Sequence, residues 1–332
     1  MVLNRRSSGQ RNPLQPRRPM AASSAPAVRR DLVAWEIAPV PESLDPGAAR
    51  AFCRAVAAGH YENFTVATLL VPARLRQHLA NVYAFARWAD DLADEAASPE
   101  AATAALGHWR IELDDCFAGR PGHPVTVALA ETVRETSLTL EPFAALIDAF
   151  EQDQFKTRYA TRAELIDYCR RSADPVGRIV LALEGCREPE LVGMSDSICT
   201  GLQLVNFWQD ITRDRLAGRI YLPAEDMAAH GVTEPMLAAM PASGEVRSLI
   251  SAEVAWARAC FAAGKALPGR GPRVLRPAIR MFVGGGLAVA DAIEAAGYDT
   301  LSRRPTVGRF AKLRLAGQAF GAAVFGRLGR RA

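Results

Sequence analysis

The chain has 332 residues, of which 49% are hydrophobic and 23% are charged, and its formal net charge is +4. This apolar fraction is typical of a globular protein and excludes a chain that is disordered throughout. The most apolar stretch, residues 281–290, is too short for a transmembrane helix, which needs about 20 apolar residues. Six cysteines without a C-x-x-C pair argue against a zinc site or a disulfide framework.

Basic residues are concentrated at the two ends of the chain. Residues 1–30 contain seven arginines and no acid, and residues 303–332 contain eight basic residues and no acid, so the region between them is acidic. A nucleic-acid-binding protein would carry its basic residues on a folded face, and we therefore expect no nucleic-acid partner. The basic ends either touch an anionic membrane surface or simply reflect an arginine-rich composition. We expect a cytoplasmic protein, with any peripheral membrane contact on the inner face of the cell membrane.

The predicted elements begin after residue 40. Residues 1–40 lack an apolar period and predict a disordered basic extension. Residues 41–315 contain Ala- and Leu-rich helical stretches separated by Pro and Gly, without lasting strand-like alternation or an internal repeat. This pattern predicts one all-α domain. The main predicted helical stretches are residues 51–59, 75–95, 101–117, 142–155, 162–171, 195–214, 244–266 and 277–296.

The last residues predict a separate element. Residues 316–332 are a basic amphipathic tail, which belongs to the longer basic and apolar stretch 306–331. A helix there would either lie on a lipid surface or pack on the bundle with its arginines in water.

The first chemically distinctive segment is YAFARWADDLADE, residues 83–95. Asp90 and Asp94 are four residues apart and share a helix face, which Arg87 and Tyr83 continue one and two turns earlier. Like charges at this spacing destabilise a helix unless something compensates them.

The second such segment is LQLVNFWQDITRDRLAGRIYLP, residues 202–223. Asn206, Asp210 and Asp214 stand at i, i+4 and i+8, with Gln203 on the neighbouring edge of the same face. This helix therefore also presents a stripe of oxygen ligands within apolar sequence.

Two carboxylate stripes that face each other in a bundle would repel strongly. Hard divalent cations remove this repulsion, and Mg²⁺ in particular retains waters and shares carboxylates with substrate phosphates. An acidic helix face is usually only solvated, but two such faces in apolar sequence argue against that interpretation. We therefore predict a site that binds several Mg²⁺ ions, holds a diphosphate and helps it leave. Arg87, Arg213 and Arg219 would supply fixed positive charge.

At these residues the sequence resembles the squalene/phytoene synthase family, the trans-isoprenyl diphosphate synthases that join two prenyl chains head to head. The first segment follows the family pattern Y-A-x-x-R-x-x-D-D-x-x-D, and the second follows Q-x-x-N-x-x-x-D-x-x-x-D-x-x-x-x-R-x-Y-x-P. The resemblance extends from about residue 47 to about residue 315. It implies the all-helical isoprenoid synthase fold, a single-domain bundle with a central cavity.

The resemblance also implies residue roles. The ligands of Mg²⁺ would be Asp90, Asp94, Asn206, Asp210 and Asp214. Beside the resemblance, we predict that a prenyl diphosphate substrate is bound by His60, Phe64, Tyr83, Arg87, Gln203, Asn206, Arg219 and Arg304. The candidate catalytic residues are Arg87, Asp90, Asp94, Asp210, Asp214 and Tyr221.

Within the family, two segments resemble the bacterial hopanoid branch, the hydroxysqualene synthases. These segments are HYENF at residues 60–64, followed by LVP at 70–72, and YCRRSADPVGR at 168–178. Enzymes of this branch expel diphosphate from presqualene diphosphate and let water quench the rearranged cation. Gln209 departs from the family, since many relatives carry Arg there, and residues 292–296 lack a Tyr that often stands there. These departures argue against a site that performs the full phytoene or squalene reaction sequence.

Several side chains have two possible roles. The aromatic residues beside the two stripes either line the prenyl cavity and face a carbocation or pack in the core. These residues are Phe64, Phe85, Trp88, Phe207 and Trp208. His60 either binds diphosphate or caps a helix. Tyr221 either donates a proton or orients water, or it only anchors the helix end. Arg303 or Arg304 either closes over the diphosphate or belongs to the basic tail.

We therefore expect a Mg²⁺-dependent enzyme that converts presqualene diphosphate to hydroxysqualene in squalene or hopanoid biosynthesis. A presqualene diphosphate synthase would be the partner that hands over the substrate. One alternative is head-to-head coupling, as in a phytoene synthase or a presqualene diphosphate synthase, and another is a non-catalytic scaffold of the same fold. The intact aspartates argue against the scaffold. The second motif does not fit a class I terpene cyclase. No dinucleotide fingerprint supports a redox step.

Overall fold

The computed structural model describes residues 44–60 and 70–308, and for His60 it describes only the backbone. Within these residues the regular structure is helical and there is no strand, so the all-α prediction is confirmed there. The helices are α1 (Pro46–His60), α2 (Ala73–Asp94), α3 (Pro99–Phe117), α4 (Pro124–Glu135), α5 (Glu141–Gln152), α6 (Arg162–Ser172), α7 (Asp174–Ala182), α8 (Pro189–Leu216), α9 (Ala224–Ala229), α10 (Gly244–Ala263), α11 (Leu267–Arg270) and α12 (Arg276–Ala295).

The predicted extension 1–40 and tail 316–332 lie outside the described residues, and these boundaries stay predictions. In the part of the chain that the structure does describe, no helix is long and apolar enough to cross a membrane.

Local sequence signals explain where several helices begin. The Ser98 hydroxyl accepts a hydrogen bond from the Ala101 amide at the start of α3, and Thr161 and Ser243 cap α6 and α10 in the same way. Helices α4 and α7 lie outside the predicted stretches. Each has a proline in its first turn, where the missing amide hydrogen costs no helical hydrogen bond.

The bundle is built around two long helices. Helix α8, with 28 residues, packs against α7, α10 and α12, while α2, with 22 residues, packs against α1, α3, α4 and α5. Helices α5, α6 and α7 pack against one another and connect the two groups. A cavity between α2 and α8 remains, and it receives side chains from both long helices.

A glycine sets the separation of α7 and α8. A Cβ atom added to Gly177 would lie 2.3 Å from the Ser195 hydroxyl and 2.6 Å from the Cys199 sulfur, so a side chain here would require these side chains or the helices to shift. The present close packing of the two helices therefore uses the absence of a side chain at this glycine.

After α12 the chain reverses and crosses α8. Gly297 and Tyr298 both have left-handed backbone conformations, with φ of 62° and 59°. The Asp299 carboxylate then accepts hydrogen bonds from the Ser302 amide and hydroxyl and from Arg247. These contacts fix the direction in which residues 299–308 leave the turn.

One buried acid outside the cavity affects stability. Glu253 on α10 is fully buried, and its neighbours are Arg162 and Asp226, which pair with each other at 2.8 Å. Burial, reinforced by the charge of Asp226, raises the pKa of Glu253 to about 8 against the opposing charge of Arg162.

We predict that Glu253→Gln removes a pH-dependent loss of stability. Between the ordinary carboxyl pKa of 4.5 and about 8, folded Glu253 keeps a proton that the unfolded chain releases, so the free energy of unfolding falls as pH rises. The variant should therefore gain stability relative to the wild type across this window. Urea denaturation at both ends of the window measures this, and a constant difference between the two proteins would contradict the prediction.

Candidate active site

The cavity between α2 and α8 combines polar and apolar walls. Its empty volume is about 1120 Å³, including the part open to solvent. Its polar lining consists of Tyr83, Asp90, Asp153, Tyr168, Ser172, Gln203, Asn206, Asp210, Arg213, Asp214 and Tyr221. Its apolar lining consists of Leu79, Val82, Ala86, Leu146, Ala149, Phe150, Val176, Ile179, Val180 and Phe207.

The stripe on α8 lies on the cavity wall over its whole length. Gln203, Asn206, Asp210 and Asp214 all line the cavity. This follows from the helical period, because residues three or four apart return to the same face. On α2, however, only some of the stripe residues line the cavity.

On α2, Tyr83 and Asp90 line the cavity, whereas Asp94 is the last residue of the helix and is exposed. Asp94 is therefore not among the lining residues. It lies one turn beyond Asp90, at the end of the same helix face.

Arg87 binds aspartates of its own helix. Its guanidinium is buried and donates a hydrogen bond of 2.9 Å to Asp90 and another to Asp91. Burial raises the pKa of Asp91 to about 6, although Arg87 opposes this rise. Arg87 is absent from the cavity lining, so in this arrangement its charge neutralises the first carboxylate pair.

Arg304 does the same for the second stripe. Its guanidinium donates a hydrogen bond of 3.0 Å and a shorter one to the two carboxylate oxygens of Asp210, and one of 2.8 Å to the Gln209 side chain. Arg303 and Arg304 are both exposed. Arg304 thus contacts a predicted metal ligand, and closure of either arginine over a diphosphate stays a prediction.

Two further arginines lie near Asp214. Arg213 lines the cavity, whereas Arg219 lines a smaller pocket that also contains Asp214 and Tyr221. Arg219 donates a hydrogen bond of 3.3 Å to the backbone carbonyl of Asp153. Of these two, Arg213 has the direct access to the main cavity.

A cluster of aromatic rings forms one wall. The Tyr221 and Phe207 rings are stacked at 3.8 Å with an interplanar angle of 9°, and Tyr159 and Tyr168 pack against Tyr221. Tyr221 is buried, so its ring contributes to the packing of the site as well as offering a hydroxyl.

The sequence did not indicate Asp153 as a site residue. It is buried, it lines the cavity, and it accepts a hydrogen bond of 2.9 Å from the Tyr168 hydroxyl. Asp153 follows the end of α5 and has no neighbour in a recognisable motif, whereas Tyr168 lay in the segment that resembles the hopanoid branch. The sequence therefore offered a signal for Tyr168 but none for Asp153.

A second, apolar chamber adjoins the cavity. It has an empty volume of about 750 Å³, including the part open to solvent, and shares Leu79, Val176 and Val180 with the cavity wall. The rest of its lining is almost entirely apolar and comes from α7, α8, α11 and α12 and from Val71 just before α2. Such a surface favours long hydrocarbon groups over polar ones.

Three of the flanking aromatic residues do not line the cavity. Phe85 stacks on Trp109 and contacts Phe143, and Trp88 packs against Phe52 and Trp109. Trp208 is fully buried and contacts Trp256. For these three the core role applies, and only Phe207 lines the cavity. Phe64 and the His60 side chain lie outside the described residues.

The donor set suits a hard divalent cation. Carboxylate and amide oxygens from both long helices face one cavity, and oxygen ligands are those that Mg²⁺ binds. Among the residues that the structure describes, no three His, Cys, Asp or Glu side chains are gathered as a ready-made metal site. Asp90 and Asp210 are held by arginines instead. The residues therefore fit Mg²⁺ in kind, with arginines as the counter-ions in this arrangement.

Comparison with known proteins identifies the family. The model of the squalene/phytoene synthase family matches residues 57–311 of the chain. The chain belongs to the squalene/phytoene synthase family. It is 32% identical over 278 residues to the phytoene synthase of Arthrospira platensis, and the aligned region covers 79% of this chain and 89% of the relative. It is 33% identical to the 15-cis-phytoene synthase of a Synechocystis strain, and here the aligned region covers 77% of this chain and 79% of the relative.

Solved structures of family members share the fold. The squalene synthase HpnC from Alicyclobacillus acidocaldarius is 42% identical to this chain, and the two structures superpose with a TM-score of 0.74. This superposition covers 77% of this chain and 97% of that one. A dehydrosqualene synthase is 25% identical and superposes with a TM-score of 0.76 over 83% of this chain and 97% of that one. The predicted isoprenoid synthase fold is therefore confirmed.

We predict that Asp90→Asn and Asp210→Asn each weaken Mg²⁺ binding at least about tenfold while the helical content is unchanged. Each substitution removes a negative charge from the cavity without changing side-chain volume. Glu95→Gln is the matched control, because Glu95 is an exposed acid just after the end of α2. Isothermal titration with Mg²⁺ and circular dichroism measure both quantities. Wild-type affinity in the two cavity variants would remove these aspartates from the metal site.

Proposed function

We propose that this chain is a Mg²⁺-dependent enzyme that converts presqualene diphosphate to hydroxysqualene, releasing diphosphate and capturing water. The observation that carries the proposal is one cavity that joins oxygen ligands, a tyrosine wall and an apolar chamber. A substrate with a diphosphate head and long hydrocarbon arms needs these three environments side by side.

The diphosphate end of the reaction depends on charge. Bound Mg²⁺ would neutralise the diphosphate and stabilise it as a leaving group. Asp90, Asn206, Asp210 and Asp214 are the lining residues that would hold the ions, and Asp94 would join them from the end of α2. Arg213 would donate hydrogen bonds to the departing oxygens.

The hydrocarbon end depends on water exclusion. Loss of diphosphate breaks a C–O bond and leaves a carbocation, which bulk water would trap without selectivity. The apolar lining of the cavity and of the adjoining chamber would enclose the prenyl arms. The stacked Phe207 and Tyr221 rings would present a π face that stabilises positive charge.

One water must nevertheless reach the rearranged cation. Its oxygen forms the new C–O bond, and its proton must pass to a base. The Tyr221 hydroxyl would orient this water, and the Asp153 carboxylate, which Tyr168 holds at 2.9 Å, would accept the proton.

The choice of branch rests on similarity. The identity to the solved squalene synthase HpnC is 42%, against 32% and 33% to the two phytoene synthases compared above, and the segments 60–64 and 168–178 resemble the hopanoid branch. A presqualene diphosphate synthase would supply the substrate. The apolar product supports handover at a membrane surface, which the basic ends of the chain would contact.

Head-to-head coupling as a phytoene synthase is the second candidate. The names of the curated relatives favour it, since all those compared above by sequence are phytoene synthases. This reaction uses the same metal site and differs in the substrate that the apolar walls accept.

Product analysis distinguishes the two candidates. We expect purified protein with Mg²⁺ and no reductant to convert presqualene diphosphate to hydroxysqualene and to leave farnesyl and geranylgeranyl diphosphates unchanged, as measured by mass spectrometry. Phytoene from geranylgeranyl diphosphate would replace the proposal with the second candidate. Consumption of farnesyl diphosphate would assign the chain to the coupling step.

We predict that Tyr221→Phe changes the product rather than abolishing substrate consumption. The variant keeps the ring that stacks on Phe207 but loses the hydroxyl that would orient water, so the cation should lose a proton and give hydrocarbon products. The ratio of alcohol to hydrocarbon by gas chromatography measures this. Tyr159→Phe is the control, because Tyr159 stacks on Tyr221 without lining the cavity. An unchanged ratio in Tyr221→Phe would remove its hydroxyl from water capture.

A further inference from the structure

Residues 299–308 form a strap across α8 that ends on the candidate metal site. The Thr212 hydroxyl donates a hydrogen bond of 3.2 Å to the Leu301 carbonyl, and the Gln209 side-chain amide donates one to the Pro305 carbonyl. Leu301 and Pro305 are buried, whereas the residues between them are exposed. The strap is therefore anchored on both sides of Arg304.

Gln209 determines where Arg304 lies. Its side-chain nitrogen donates a hydrogen bond to the Pro305 carbonyl, and its side-chain oxygen accepts the hydrogen bond of 2.8 Å from Arg304. Both the donor and the acceptor of this one amide therefore bind the strap. Gln209 is itself buried and immediately precedes Asp210. The amide thus fixes the strap next to the carboxylate that the guanidinium binds.

Arg304 binds both carboxylate oxygens of Asp210. Its Nε and Nη2 atoms donate to them in the two-pronged geometry that guanidinium groups adopt with carboxylates. Asp210 is nearly buried and lines the cavity, while the Arg304 side chain is 40% exposed and is not among the lining residues. A cation that binds Asp210 through the lone pairs that these hydrogen bonds use therefore competes with the guanidinium.

We propose that Gln209 is a positioning residue that holds Arg304 on Asp210, and that cation binding displaces Arg304 and loosens the strap. The displaced guanidinium then binds diphosphate oxygens, so that the strap closes again only when both cation and diphosphate are present. This inference rests on the proposed function, because it takes Asp210 as a ligand of Mg²⁺. It gives Gln209 a specific role in this chain.

The test measures Mg²⁺ affinity by isothermal titration without substrate. Arg304→Gln should bind Mg²⁺ about threefold to tenfold more tightly than the wild type, because the cation no longer competes with the guanidinium. Gln209→Met should shift the affinity in the same direction by less. Arg304→Lys should lie between Arg304→Gln and the wild type, since an ammonium cannot bridge Gln209 and Asp210 in the same way.

Arg303→Gln is the matched control. It removes an equal charge one residue earlier, at an exposed position, and should keep wild-type affinity. This control separates the direct contact with Asp210 from a general loss of positive charge. Equal affinities in Arg303→Gln and Arg304→Gln would overturn the proposal.

Hydrogen exchange provides a readout that a merely structural role would not give. In the wild type, the amides of residues 301–308 should exchange faster when Mg²⁺ is added and slower again when inorganic diphosphate is added with Mg²⁺. In Arg304→Gln, diphosphate should fail to restore protection. If hydrogen exchange in residues 301–308 does not respond to Mg²⁺, the proposed loosening of the strap is wrong, but the proposed function is unaffected. A wild-type protein that binds no Mg²⁺ would overturn the proposed function as well.

Discussion

Charge balance in the cavity between α2 and α8 is the constraint on which the rest of the site depends. Several carboxylates face this space, and a buried carboxylate without a counter-ion is unfavourable in a protein interior. Arg87 and Arg304 supply the counter-ions, one from the same helix and one from a distant segment. The remainder of the bundle serves to bring these groups together. The two long helices carry the acids, and the turn after α12 returns the chain so that an arginine reaches Asp210.

This balance also suits a site that exchanges its charges during a reaction. An arginine on a carboxylate is a partner of moderate strength when its side chain remains partly exposed, so a divalent cation can replace it. The Arg87 contacts are more deeply buried and are made within a single helix. The two stripes therefore differ. The first is neutralised within one helix, and the second is neutralised by a segment that is distant in sequence.

The helical period explains which parts of the site the sequence could predict. Each residue advances about 100° around a helix, so Tyr83 and Asp90 return to one face while Phe85 lies roughly 200° away and faces the core. The same angle places Trp208 roughly opposite to Asn206 and Asp210 on α8. The two stripes could therefore be predicted from the sequence, and the same arithmetic could have excluded Phe85 and Trp208 from the cavity wall.

Contacts between distant segments could not be read in this way. Asp153 reaches the cavity from the end of α5, and Arg304 meets Asp210 across 94 residues of chain. No local pattern encodes either approach, because both depend on how helices pack and on the direction of the turn at Gly297 and Tyr298. The sequence offered Arg303 and Arg304 as alternatives and did not indicate the carboxylate that Arg304 binds.

The absence of a side chain at Gly177 also affects the dimensions of the apolar chamber. Gly177 and its two contacts, Ser195 and Cys199, all line the apolar chamber. The separation of α7 and α8 is therefore also a dimension of that chamber. A single methyl group at this position would therefore alter the shape of the apolar chamber without altering any charged residue. Under the proposed function, the room for a hydrocarbon arm and the charges that hold the diphosphate are thus set by different residues.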